Sequence, residues 1–110
     1  MENRQKVLNM IGLATKAGKT VSGEFSTEKA VKTGKAWLVI VSEEASDNTR
    51  KMFTNMCTYY HVPVCFFGKK EELGHSMGKE FRASVAITDE GFAKTLVKQM
   101  NVNGGSKYES

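Results

Sequence analysis

The sequence predicts a single α/β sandwich, and three observations carry that expectation. Short apolar runs rich in β-branched residues, Ala36 to Val41, Val64 to Phe67 and Ser84 to Ile87, read as strands buried on both faces. Segments with apolar residues at helical spacing alternate with them. The 110 residues fit one domain, long enough to bury a core without disulfides or metals.

In chain order, residues 4–17 read as a helix with Val7, Leu8, Ile11 and Ala14 on one face. Gly18 is its stop, with Lys16 and Lys19 near the negative end of the helix dipole. Thr20 to Ser22 reads as a short strand. A second helix runs from Glu24 to Thr33 and ends at Gly34. Ala36 to Val41 is the central strand. Ser46 is a good N-cap for a third helix, with Asp47 in its first turn and Met52, Phe53, Met56, Cys57 and Tyr60 as its apolar stripe. Pro63 opens the strand Val64 to Phe67. Lys69 to Met77 reads as a short helix broken by Gly74 and Gly78. After Ser84 to Ile87, Thr88 caps the last helix, Asp89 to Met100, with Phe92, Leu96 and Val97 facing inward. Residues 101–110 contain Gly104-Gly105 and little apolar content, so a disordered tail is expected behind a domain spanning 1–100.

Sixteen Lys and Arg against twelve Asp and Glu give a net charge of +4. Residues 1–35 hold seven bases and three acids, whereas 36–110 hold nine of each. The excess therefore lies in the first third, which suggests a polyanionic partner. No apolar run approaches the ~18 residues of a membrane span, so no membrane association is expected. Residues 1–20 do not read as a secretory signal, and Cys57 and Cys65 are too few for a disulfide framework. A reduced, cytoplasmic protein with buried, inert thiols is the expectation.

Several motifs point to catalysis or ligands only superficially. Gly12 to Thr20 invites a phosphate-loop reading, but five residues separate its glycines where four are needed, and no strand precedes it. His61 and His75 have no partner at metal-ligand spacing. Glu43-Glu44 and Glu71-Glu72 sit where carboxylates stabilise exposed amides. With no nucleophile–base signature, neither enzyme activity nor a cofactor is expected.

The segment Lys19 to Lys35 is the most informative. Ser22-Gly23-Glu24 opens a helix bearing Lys29 and Lys32. A helix start presents unpaired amides and partial positive charge, which suit a phosphate. Gly23 lets a backbone approach closely. Phe25 at such a start either stacks on an unpaired base or packs into the core.

From Ser22 to Ala45, through Val62-Pro63-Val64, Glu72-Leu73-Gly74 and Gly78, to Ala83 through Phe92, the chain resembles the kink-turn RNA-binding family of ribosomal proteins. That is the seven-A-e and thirty-e type of the large subunit. Gly12-Leu13-Ala14, Ala17-Gly18-Lys19 and Ser46 to Lys51 resemble its bacterial YlxQ-like subgroup most. The resemblance covers roughly residues 4–100. It implies a three-layer α/β/α sandwich around a four-stranded mixed sheet, with an RNA surface at one end of the sheet. That surface is built from three pieces: Gly23 to Lys29, Ser42-Glu43-Glu44, and Phe81 to Ser84. The implied RNA-binding residues are Lys19, Gly23, Glu24, Phe25, Ser26, Lys29, Lys32, Glu43, Arg82, Ala83 and Ser84. One departure stands out. Kink-turn readers of this type carry Asn-Glu two and three residues after the glycine, where this chain has Phe25 and Ser26.

The expected function is a small non-catalytic RNA-binding protein, with ribosomal or other structured RNA as partner and the ribosome or translation and transcription factors as associates. The alternative is a protein-interaction module on the same fold that has lost kink-turn recognition and uses Phe25 as an anchor.

Overall fold

A computed structural model describes the backbone of residues 2–101 and 108–109 and the side chains of residues 3–100. Its elements follow in order: α1 (Glu2–Lys16), β1 (Thr20–Ser22), α2 (Glu24–Lys32), β2 (Leu38–Val41), α3 (Asp47–Tyr60), β3 (Val64–Phe66), α4 (Lys70–Ser76), β4 (Ser84–Ile87), α5 (Glu90–Asn101) and β5 (Tyr108–Glu109).

Leu38, Val39, Ile40 and Val41 are all fully buried, as a continuously apolar strand requires. Because strand side chains alternate, the four supply two cores. Leu38 and Ile40 pack with Val7, Ile11, Leu73 and Leu96 from α1, α4 and α5. Val39 and Val41 pack with Val31, Phe53 and Cys57 from α2 and α3. Helices therefore cover both faces, giving the expected three layers.

The sheet order is β1-β4-β2-β3-β5. β4 pairs antiparallel with both β1 and β2, and β2 pairs parallel with β3. This is the expected four-stranded mixed sheet. A two-residue fifth strand lies antiparallel along β3, with Tyr108 opposite Cys65. The rest of the expected disordered tail, residues 102–107 and 110, lies outside the described residues.

Three local expectations need correction. Tyr60 does not belong to the α3 stripe and is 40% exposed. His61 adopts a left-handed conformation (φ 61°), and Val62 turns back to donate to Cys57 O and takes the inward place. Thr88 does not cap α5, because it lies one residue too early: the first helical bond runs from Ala93 N to Asp89 O. Asp89 caps instead, its Oδ2 accepting from Phe92 N at 3.0 Å. Gly74 does not break α4. It lies buried inside that helix, where its missing side chain admits the backbone of Glu80 and Phe81.

Candidate functional site

β1, β2 and β3 run in one direction and β4 against them. The carboxyl ends of the first three therefore open at the same edge as the start of β4. In open α/β sheets this is the edge where ligands collect. The segments gathered there are Ser22-Gly23, Ser42-Glu43, Gly68 with Lys69 and Lys70, and Phe81 to Ser84.

Gly23 makes the turn from β1 into α2 at φ 90°, a conformation that only glycine adopts cheaply. Its amide donates to Ser84 O at 3.0 Å, tying the helix start to β4. The first bond of the helix runs from Thr27 N to Gly23 O, and no side chain caps the turn. The amides of Glu24, Phe25 and Ser26 thus precede the ladder, at the positive end of the helix dipole. Glu24 is exposed and Ser26 half-buried. Phe25 is 77% exposed, which decides its reading: it is not core. Lys29 is exposed four residues later. Side chains so spaced share a helix face, and Lys29 leans back toward Phe25.

Arg82 is half-buried and donates from Nε to Ser22 Oγ at 2.8 Å and from Nη1 to Phe81 O at 2.7 Å. Ala83 O accepts from Ser42 N at 2.8 Å, joining the β4 lead-in to the end of β2. Ser84 is buried and contributes its carbonyl to Gly23. Glu43 is exposed and held by its backbone, its amide donating to Gly68 O. Phe81 beside Arg82 is 60% exposed.

Two basic elements at this edge escaped the sequence reading. Arg50, on the first turn of α3, donates to Glu43 O at 3.1 Å and lies 4.5 Å from the Phe66 ring centroid. Lys69 and Lys70 open α4, where Lys70 N donates to Glu44 Oε1 and Lys70 O accepts from Arg82 N. The Lys69-Lys70 doublet was a visible signal, whereas the place of Arg50 depends on the loop between β2 and α3. Behind this edge Arg4 forms a two-bond ion pair with Glu72, which also accepts from Lys69 N at 2.9 Å. The Arg4 guanidinium, followed by the Lys69 amide, holds the Glu72 carboxyl below the usual range. Glu72 in turn raises Arg4.

Two expected site residues are not brought here. Lys19 precedes β1, and its carbonyl accepts from Thr88 at the opposite edge of the sheet. Four residues of extended chain separate it from Gly23, about 13 Å. Lys32 ends α2 and is paired with Glu28 at 2.8 Å, which raises its pKa. Lys16 and Lys35 also lie toward that far edge, because α1 and α2 both end there. The charge excess of the first third is thus placed mainly away from Gly23.

Both thiols are free and buried, and burial pushes Cys57 up to about 12 and Cys65 higher still. The protein has no cluster of three metal-ligating side chains among the described residues. No helix there is long and apolar enough to cross a membrane.

The model of the ribosomal protein L7Ae/L30e/S12e/Gadd45 family matches residues 5–97. The chain is 44% identical over 92 residues to the RNA-binding protein YlxQ of Bacillus subtilis, covering 84% of this chain and 92% of that protein. It is 30% identical over 109 residues to large ribosomal subunit protein eL8 of Picrophilus torridus, covering 94% and 86%. A solved structure of a protein with unknown function from Bacillus halodurans C superposes with a TM-score of 0.85 at 34% identity. That match covers 87% of this chain and 97% of the other.

Proposed function

The chain belongs to the ribosomal protein L7Ae/L30e/S12e/Gadd45 family, and on that premise we propose that it is a non-catalytic RNA-binding protein of the cytoplasm. Its partner is a structured RNA, ribosomal or regulatory, held at the edge of the sheet around Gly23. One observation carries the reading: three chain segments far apart in sequence are bonded together there. Gly23 donates to Ser84, Ser42 to Ala83, and Arg82 to Ser22.

Each group has a chemical role. The open amides after Gly23 and the Lys29 ammonium hold phosphate oxygens. Arg82 keeps Ser22 and Phe81 in place and adds positive charge. Phe25 supplies an exposed ring for an unpaired base. Glu43 presents backbone and carboxylate at the rim, where an acid accepts from base amino groups. Because Phe25 and Ser26 stand where an Asn-Glu pair reads sheared base pairs, the RNA is recognised through backbone and a splayed nucleotide more than through those pairs. Removing base-edge contacts lowers discrimination while the phosphate contacts persist.

A mobility-shift titration against kink-turn, bulged and fully paired RNAs tests this over a salt series. The expected result is binding that weakens steeply with salt and favours RNAs with an unpaired nucleotide. Affinity indifferent to salt and to Lys29→Ala overturns it.

The exposure of Phe25 and Phe81 also suits a protein groove, which is the second reading. Partners recovered from lysate that persist after ribonuclease digestion favour it over the first.

A further inference from the structure

The edge of the sheet opposite Gly23 carries its own aromatic and basic surface. Trp37 N donates to Ile87 O at 2.7 Å, which fixes Trp37 at the far end of the sheet, 48% exposed. Tyr59 and Tyr60 end α3 at the same end of the sheet, 76% and 40% exposed, their rings 4.8 Å apart and edge-on at 78°. Trp37, His61 and Pro63 line one side of a shallow depression, and Lys94, Val97 and Lys98 of α5 line the other. Gln99 shares that lining.

We propose that this far edge is a second binding surface, for a single-stranded RNA segment, so that the protein bridges two parts of one RNA or two RNAs. The proposal rests on the RNA-binding reading above but uses none of its residues. Two properties choose the occupant. Exposed indole and phenol rings offer sequence-tolerant stacking platforms. The lysines supply phosphate contacts: Lys32 and Lys94 are tied to Glu28 and Glu90, whereas Lys19, Lys35 and Lys98 form no ion pair among the described residues. A protein partner fits less well, since interface cores are enriched in Tyr and Trp but depleted in Lys.

Trp37 is the only tryptophan, so its fluorescence reports this edge alone. The test titrates the full chain with an oligouridylate of about ten nucleotides, near the span one small domain contacts. Saturable quenching that fades with salt is expected. Tyr59→Ala and Lys98→Gln, both at exposed positions, should each weaken it about fivefold or more, while Lys29→Ala leaves it unchanged. No quenching overturns the proposal, as does quenching indifferent to both substitutions. Equal quenching by polyglutamate also overturns it, assigning the surface to acidic peptides. Binding of a folded, bulged RNA, followed by mobility shift and its loss in Lys29→Ala, is read separately. Failure at one edge is thereby distinguished from failure at the other.

Discussion

Arg82 donates from Nε to the Ser22 hydroxyl at 2.8 Å, joining segments 60 residues apart. The same guanidinium bonds Phe81 O, so one planar group fixes the end of β1 against the loop that leads into β4. An ammonium keeps the charge but cannot reproduce that fork. Arg82→Lys should therefore lose RNA affinity nearly as much as Arg82→Ala, about tenfold, the scale of one charge-assisted hydrogen bond. Filter binding of both variants beside the parent checks this. Full retention in Arg82→Lys would reduce the role of Arg82 to charge.

Lys29 is exposed on the face of α2 that carries Phe25. A lysine–phosphate contact carries no sequence information. Lys29→Ala should weaken all RNAs by a similar factor and reduce the salt slope by about 1. A sequence-selective loss would mean that Lys29 touches bases.

Phe25 contributes little to folding because 77% of it is exposed. Phe25→Ala should change stability by less than about 0.5 kcal/mol, as surface substitutions do. It should weaken RNAs with an unpaired nucleotide by about 1–3 kcal/mol, the scale of one base stack. The double change Phe25→Asn with Ser26→Glu should shift preference toward kink-turn RNA, measured by competition between kink-turn and bulged duplexes.

Gly74→Ala would improve intrinsic helix propensity by about 1 kcal/mol at an open position. Here the added Cβ would meet Glu80 O at 2.5 Å and Phe81 N at 2.7 Å, both backbone atoms. Overpacking of this kind costs about 1–3 kcal/mol, so the clash wins. Urea melts should show a less stable protein, and its RNA affinity should fall because the loop bearing Phe81 and Arg82 is displaced.

The Arg4–Glu72 pair makes stability depend on pH. Glu72 titrates lower when folded than unfolded, so its contribution is present at neutral pH. It is lost as the pH falls through the folded-state value. Both side chains are partly exposed, at 41% and 30%, which limits the contribution to about 1 kcal/mol. Glu72→Gln retains the oxygen that accepts from Lys69 N and removes only the charge. Its deficit in thermal melts at pH 7 should vanish in acid.

Much of this protein was legible in its sequence because burial is written locally. The run Leu38 to Val41 declared a strand covered on both faces, and Ser46 declared the start of α3, where its side chain accepts from Thr49 N. Gly23 marked the turn that opens α2, and the structure gives it a φ of 90° there. Tyr60 and Thr88 were misjudged because periodicity and cap preference ignore competition. Val62 took the inward place of Tyr60, and Asp89, one residue nearer the helix, took the cap.

Only the tertiary structure decided which charges stand together. Lys19 and Gly23 are four residues apart, yet β1 carries them to opposite edges of the sheet. Arg82 and Ser22 are 60 apart and bonded. Sequence spacing fixes what lies on one face of an element. Which ends of different elements meet is set by strand direction and by hydrogen bonds between distant residues, and no local pattern encodes those.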